Sequence, residues 1–356
     1  MKFFKKFDAL KVRLIALFIA LSLSVTYYYI IKPLAMGTPG NSTNFMVFSA
    51  MSHADYHLNS LQEVWRPRVG GMWLSGLLVD SVVKEGQLKV EDLQHVFGLY
   101  HACWLFLFFV MIIFLAEDPV FVIVACFAGL FYMLTPNAGY YSYPWDIPSM
   151  TFFTLNFLLW KKKLYTWMFL VFIIGQFFKE TVAVTAVLYF FSDMSWRNKI
   201  RYFVLAFVFT LIVRLIITKI IEGHIVVITE VRQGETHGLF SYLKHNFFEY
   251  LMVNVRFLLS LQWNQFIFVN AGAFVVALFL PMRTKIEMGT KAVLLLFFCG
   301  QMVAGCLNEF RVMLEVLPVS ILYLRQTLEG WKMKTATIQE VENKSPPAPF
   351  KRGPKN

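Results

Sequence analysis

Charged side chains are scarce in this chain. Aspartate, glutamate, lysine and arginine make up 15% of its 356 residues, whereas a soluble domain carries about a quarter. Hydrophobic residues make up 58%, and the mean hydropathy is +0.57. Apolar runs close to the roughly 20 residues that cross a bilayer recur along the whole length. The composition excludes an ordinary soluble domain and predicts an all-α integral membrane protein.

Cysteine is also sparse and shows no metal-binding pattern. The four cysteines lie within predicted spans, at Cys103, Cys126, Cys299 and Cys306. No Cys-x-x-Cys motif and no zinc-like spacing of cysteine and histidine occurs. His53 and His57 would share one helix face and could bind a metal, but no third ligand is evident in the sequence. We therefore expect no cofactor, and a divalent metal is the less favoured alternative.

The net charge of +11 is concentrated in short clusters. Basic residues stand between apolar runs, most clearly at Lys161-Lys162-Lys163 and at Arg197, Lys199 and Arg201. The positive-inside rule explains such clusters as cytoplasmic flanks of membrane spans. We expect membrane lipids rather than nucleic acid as partners, with both termini in the cytoplasm.

The apolar runs predict about ten transmembrane helices. Their approximate ranges are 12–32, 95–115, 119–135, 146–160, 164–178, 181–193, 201–221, 264–281, 291–306 and 310–325. The fifth and sixth are short for α-helices that cross a bilayer, so one of them is expected to be tilted or broken. The turn Glu117-Asp118, which this topology places inside, lacks the positive charge expected there.

These spans form one polytopic domain over residues 1–329. Residues 33–94 and 222–262 are its long outer segments, the first and fourth outer loops, and each includes an apolar stretch that predicts a surface helix. Residues 330–356 are polar, and the composition predicts a disordered cytoplasmic tail. Short loops and the lack of other targeting signals favour a bacterial inner membrane over the endoplasmic reticulum.

The titratable residues are concentrated on one side of this topology. All seven histidines lie in or beside outer segments. Asp55, in the sequence His53-Ala54-Asp55-Tyr56-His57, is the first candidate for chemistry, because a carboxylate near an apolar boundary can act as a general base. The alternative is a helix N-cap or a solvated loop acid.

Two pairs of charged residues could bind an anion through their basic members. Arg66 and Arg68 lie beside Trp65 and could hold a phosphate bidentately, although contact with lipid headgroups is an equal alternative. Lys179 and Glu180 lie between two short apolar runs, where charges must face protein, water or a ligand. The alternative for this second group is a mutual salt bridge.

Carboxylates near two other span ends complete the candidate residues. Asp146 begins the predicted span 146–160, either as a helix N-cap or as a second acid facing the same cavity as Asp55. Glu309 and Arg311 lie at the outer corner where the last span begins. Arg311 and Glu315 would share a helix face and could pair, whereas an arginine at this depth indicates a functional site.

Together these segments resemble the GT-C superfamily of polytopic glycosyltransferases, which use polyprenyl-phosphate-linked sugar donors. The first segment is Asp55-Tyr56, followed by an Arg-Pro element and a surface helix. The second, Tyr140 to Val184, contains YYSYPWDIPSM, a lysine-rich turn and a span ending GQFFKETVAV. The third is NEFRVMLEVLPVSIL. The fold implied is GT-C-like, with helices that hold an active site at the outer face.

The resemblance implies an inverting transfer of a sugar to a lipid, glycan or protein acceptor. Asp55 then has the role of the base. The donor phosphate falls to Lys179, Arg311, Arg66 and Arg68, and the supporting residues are His53, His57, Asp146, Glu180 and Glu309. The first loop has no paired carboxylates, which implies a metal-independent mechanism. The alternatives are a surface-polysaccharide polymerase or ligase, and a transporter or flippase, although we find no internal repeat of the kind many transporters have.

Overall fold

The structure is a computed structural model that describes residues 2–32, 69–82, 90–116, 118–133, 145–224, 250–260, 272–280, 282, 284–304 and 310–328. Every regular element in these ranges is helical, which confirms the all-α class for this part of the chain. The α-helices are α1 Lys2–Ile31, α2 Val69–Val82, α3 Val90–Leu115, α4 Pro119–Met133, α5 Asp146–Lys161, α6 Tyr165–Phe178, α7 Trp196–His224, α8 Tyr250–Leu259, α9 Gly272–Phe279, α10 Lys285–Ala304 and α11 317–328. Two further helices are of the 3₁₀ type: the long 3₁₀ helix Glu180–Phe191 and the short 3₁₀ helix Phe310–Glu315.

Four helices within the described ranges are long and apolar enough to cross a membrane. Their apolar stretches are Ala9–Ile31, Gln94–Leu115, Trp196–Ile217 and Lys285–Val303. Large apolar side chains such as Phe18 on α1 are exposed along these helices, as a lipid-facing surface requires. The architecture is that of an all-α membrane protein, and the count of ten spans stays a prediction.

The sixth predicted span is wound more tightly than an α-helix. Glu180–Phe191 is a 3₁₀ helix of 12 residues. A 3₁₀ helix rises about 2.0 Å per residue, so this one extends about 24 Å, whereas an α-helix of the same residues would extend about 18 Å. Its neighbour α6, with 14 residues, extends about 21 Å. The tighter winding gives two short segments similar lengths, and the tilt or break expected from the sequence stays a prediction.

α5 is the central helix. Every residue from Asp146 to Trp160 except Leu155 is buried. The helix contacts α3, α6 and both 3₁₀ helices. A helix that is buried all round belongs to the interior of an assembly. Its first residue, Asp146, is therefore placed inside the protein.

We call one end of the helix assembly the basic end, because Lys163 and Lys285 lie there. The turn that follows α5 lies there with Asp193, which follows the long 3₁₀ helix. Lys163 Nζ is 2.6 Å and Lys285 Nζ is 3.9 Å from the Asp193 carboxylate. Three segments that the sequence predicts on one side of the membrane therefore meet at one end of the structure.

Asp118 obtains a positive partner from the far end of the chain. Arg325 Nη2 on α11 lies 2.8 Å from Asp118 Oδ2, and its guanidinium carbon lies 5.3 Å from the centre of the Phe121 ring. The turn before α4 lacks basic residues of its own. Its missing positive charge is supplied by α11.

The Lys163–Asp193 ion pair predicts a small, pH-dependent contribution to stability. The hydrogen bond from Lys163 lowers the pKa of Asp193 below its ordinary value of 3.8. A carboxyl with a lowered folded-state pKa contributes stability above its ordinary pKa and loses it as the pH falls through the lowered value. The difference in Tm between wild type and Asp193→Asn should therefore be small at neutral pH, since both side chains are exposed, and should vanish in acid. Thermal unfolding across this range checks the sign, and a difference that grows as the pH falls would contradict it.

Candidate functional site

Asp146, Lys179 and Glu315 meet inside the helix assembly, at the end opposite to the basic end. Lys179 Nζ lies 2.5 Å from Glu315 Oε1 and 3.9 Å from Asp146 Oδ1. The side chains of Lys179, Asp146 and Glu315 are 7%, 2% and 0% exposed. We call these residues the buried triad. Ionisable groups this deep in a membrane protein mark a functional-site candidate.

Each member of the buried triad stands at a helix terminus. Asp146 lies in the first turn of α5, where the helix dipole favours a negative charge. Lys179 follows the last residue of α6 in an extended conformation, with φ −160° and ψ 139°. Glu315 is the last residue of the short 3₁₀ helix. The triad therefore forms where the ends of three helical elements meet: the start of α5, the end of α6 and the end of the short 3₁₀ helix. The central helix α5 contacts the other two elements.

Thr181 is a fourth member of the site. Its Oγ1 donates a hydrogen bond to Glu315 Oε2. The carboxylate of Glu315 is thus bound through one oxygen by the Lys179 ammonium and through the other by a hydroxyl. Sequence reasoning considered Glu315 only as a partner of Arg311 and missed Thr181. The available signal was a carboxylate followed directly by the apolar run VLPVSIL.

The structure separates Glu180 from Lys179. Glu180 is exposed, and its Oε2 lies 3.9 Å from Arg214 Nη2 on α7. Lys179 turns inward to Glu315 and Asp146. The alternative that Lys179 and Glu180 form a mutual salt bridge is therefore wrong, because Lys179 is buried against Glu315 and Asp146 whereas Glu180 is exposed beside Arg214. The supporting role of Glu180 stays a prediction.

The remaining predicted site residues are not part of the described site. Six lie outside the described residues: His53, Asp55, His57, Arg66, Arg68 and Glu309. Arg311 belongs to the short 3₁₀ helix, one turn before Glu315, and only its backbone is described. The roles assigned to these residues stay predictions.

α2 packs close to the buried triad. A Cβ added to Gly70, in its first turn, would lie 3.0 Å from the carbonyl oxygen of Phe177, two residues before Lys179. Glycine permits this approach of two backbones. On the next helix, the Tyr100 hydroxyl donates to the carbonyl of Gly71 at 3.4 Å. The helix that follows the Arg66–Arg68 segment thus begins beside the end of α6.

The described residues contain no group of three histidine, cysteine, aspartate or glutamate side chains placed to hold a metal ion. The predicted metal-independence of the protein also concerns Asp55, His53 and His57, which lie outside that part of the chain. It stays a prediction.

The buried triad has two chemical capacities. The Lys179 ammonium can bind a phosphate as a point charge, and a carboxylate can accept a hydrogen bond or a proton from a hydroxyl. Both interactions are stronger away from water, where the effective dielectric is low.

Comparison of the chain with protein-family models, curated proteins and solved structures gives no match.

Proposed function

We propose that the protein is a membrane glycosyltransferase of the GT-C type. It would transfer a sugar from a polyprenyl-phosphate donor to a lipid, glycan or protein acceptor. The buried triad carries this proposal, because its members come from two of the segments that resemble GT-C enzymes. Asp146 and Lys179 belong to the second segment and Glu315 to the third. Thr181 and Glu315, which are 134 residues apart, are in direct contact, as parts of a single site would be.

Lys179 is proposed to bind the donor phosphate. In the transfer, the bond between the anomeric carbon and the phosphate oxygen breaks, and negative charge develops on the leaving phosphate. A cation placed there stabilises this charge by a few kcal/mol per contact. Glu315 and Asp146 position the ammonium. We assign Arg311, Arg66 and Arg68 to the same phosphate.

Asp55 is proposed to be the base. It takes the proton from the acceptor hydroxyl, whose oxygen attacks the anomeric carbon from the side opposite the phosphate. The configuration of that carbon is therefore inverted. No cofactor takes part in this scheme. The supporting residues are His53, His57, Asp146, Glu180 and Glu309.

The proposed reaction takes place at the non-cytoplasmic face. From the positive-inside rule we infer that the basic end is cytoplasmic, so that the buried triad would lie toward the outer face and both termini would lie inside. We infer a bacterial inner membrane, where polyprenyl-phosphate-linked sugars and lipid or glycan acceptors are within reach of a site at this depth.

A transfer assay tests the proposal. Purified full-length protein in lipid nanodiscs is given a radiolabelled polyprenyl-phosphate hexose together with a membrane lipid extract. Wild type is expected to move the label from donor to acceptor. Asp55→Asn is expected to lose transfer with an unchanged Tm, because a carboxamide cannot take the proton. Glu91→Gln, at an exposed carboxylate in the first turn of α3, is the matched control and should retain transfer.

Two outcomes of this assay would count against the scheme at different levels. Full transfer by Asp55→Asn would remove Asp55 from the mechanism. No transfer by wild type from any hexose or pentose donor would overturn the proposed function. A product that grows by repeated units would assign the protein to the polymerases or ligases of surface polysaccharide, which share this chemistry.

A transporter or flippase is the second candidate, and the charge of the buried triad favours it. Two carboxylates and one ammonium give −2 and +1, a formal charge of −1. Buried groups of this kind serve as proton relays in transporters. Liposomes containing the protein distinguish the two functions. Movement of an intact polyprenyl-phosphate sugar between leaflets without transfer of label would favour the flippase.

A further inference from the structure

Gln176 is a buried amide with no hydrogen-bond partner among the described residues. It lies on α6, one turn before Lys179, and is completely buried. Neither its Oε1 nor its Nε2 has a partner in the structure. Buried amides in folded proteins nearly always have partners, because losing water without compensation is unfavourable. The Gln176 side chain thus keeps one hydrogen-bonding NH₂ group and one carbonyl oxygen unused within the described part of the protein.

Gln176 shares a face of α6 with Lys179. The buried residues Met168, Phe172, Gln176 and Lys179 follow one another at helical spacings of four, four and three. The backbone N–H of Lys179 still donates to the carbonyl of Gly175 at 3.0 Å, so the helical hydrogen bonding reaches the lysine. Gln176 therefore lies in the last turn of α6, directly before the extended residue Lys179 that belongs to the buried triad.

Another buried amide shows what a structural role looks like in this protein. Asn254 on α8 is also completely buried. Its Nδ2 donates to the carbonyl oxygens of Gln301 and Met302, at 3.1 Å and 3.0 Å. These carbonyls belong to the last turn of α10, where a helix leaves acceptors unsatisfied. Gln176 satisfies no such acceptor, so this kind of structural role does not explain it.

We propose that Gln176 binds hydroxyl groups of the donor sugar while Lys179 binds its phosphate. This inference rests on the proposed function and adds to it the residue that selects a polyhydroxylated ligand. A primary amide presents a donor and an acceptor side by side, which two neighbouring sugar hydroxyls complement. A site that contains buried polar groups rejects a ligand that cannot pair with them. The site therefore distinguishes a sugar-bearing prenyl phosphate from the bare phosphate.

Two probes test this assignment. One is a short-chain prenyl-phosphate hexose, and the other is the same prenyl phosphate without the hexose. Their binding to full-length protein in nanodiscs is measured by calorimetry. Wild type is expected to prefer the hexose probe by about tenfold or more, the worth of two hydrogen bonds. Gln176→Leu is expected to bind both probes with equal affinity, because the leucine offers no hydrogen-bonding atom.

Thermal unfolding distinguishes sugar binding from a structural role, because a structural role of Gln176 predicts the opposite change in Tm. Gln176→Leu is expected to keep or raise the Tm, since it removes an amide that pairs with no group in the described part of the chain. The matched variant Asn254→Leu is expected to lower the Tm, since it removes two hydrogen bonds to α10.

Three outcomes would overturn the inference. A Gln176→Leu variant that still prefers the hexose probe removes Gln176 from sugar recognition and leaves the proposed function intact. The same preference with a lowered Tm identifies Gln176 as a structural residue. Wild type that binds neither probe overturns the inference and the proposed function together.

Discussion

Lys179→Met is expected to destabilise the protein by about 3–5 kcal/mol, the range measured when one partner of a buried ion pair is removed. Methionine preserves most of the apolar stem but removes the cation from between Glu315 and Asp146. The formal charge of the buried triad then changes from −1 to −2, with both carboxylates almost completely buried. Removing one partner leaves the other with its full desolvation penalty. Chemical denaturation of the purified variant measures the loss.

Lys163→Met is the matched control for this substitution. Lys163 Nζ also lies within 2.6 Å of a carboxylate, that of Asp193, but its side chain is 67% exposed. Water takes the place of the lost partner at such a site, so exposed pairs contribute little to stability. We expect no resolvable change in stability. Equal losses in the two variants would show that burial of the triad has no energetic consequence.

The carboxylates of the buried triad should respond differently from the lysine. Asp146→Asn or Glu315→Gln leaves one carboxylate for one ammonium, a formal charge of −1 plus +1, which is zero. Each is therefore expected to destabilise the protein less than Lys179→Met does. A larger loss in either carboxylate variant would contradict this charge count.

Gly175→Ala is expected to destabilise the protein by about 1–3 kcal/mol, a typical result of overpacking. The added methyl group would lie 2.9 Å from Phe152 Cβ on α5 and 2.9 Å from Val182 Cγ1 on the long 3₁₀ helix. Carbon atoms pack at about 3.5–4.0 Å, so one of the helices must move. Both helices adjoin the buried triad, and the shift would separate Lys179 from Asp146. Transfer activity should therefore fall with the Tm.

Gly300→Ala controls for the helix propensity of alanine. A Cβ added to Gly300, on the exposed side of α10, meets nothing within 4 Å. Alanine is favoured over glycine in a helix by about 1 kcal/mol, so this variant should be equal to or more stable than wild type. If both glycine variants were stabilised, the packing around Gly175 would be looser than the structure shows.

The described helices could largely be predicted because an apolar run is a strong signal. The span predicted at 146–160 is α5, Asp146–Lys161, and the span predicted at 95–115 is the apolar part of α3, which starts at Val90. The long 3₁₀ helix could not be predicted in the same way. Apolar composition indicates burial or contact with lipid, but it does not specify how tightly the backbone winds. The winding depends on the packing of Glu180–Phe191 against α5, α6, α7 and α10.

The candidate site, too, could be predicted only in part from the sequence. Lys179 and Asp146 could be identified as candidates, because a charge at the boundary of a short apolar run is conspicuous. Their meeting with Glu315 could not be predicted, since a contact across more than 130 residues depends on how the helices pack. The helical spacing of Arg311 and Glu315 suggested a local pair, but the tertiary contact with Lys179 places Glu315 in the buried triad. Gln176 could not be identified from the sequence, because a sequence does not show whether a single uncharged amide within a span has hydrogen-bond partners.

Donor turnover by the double variant Lys179→Gln/Glu315→Gln tests the role of the buried triad most directly. The variant leaves one buried carboxylate, Asp146, without the ammonium, whereas Lys179→Met leaves two, and the two new amides can hydrogen-bond to each other. It should therefore be destabilised less than Lys179→Met, and turnover is compared at a temperature at which the variant is folded. If Lys179 binds the donor phosphate, the folded variant will release sugar from a labelled prenyl-phosphate hexose about a hundredfold more slowly than wild type, or slower still. A folded double variant with wild-type turnover would show that the triad takes no part in the reaction.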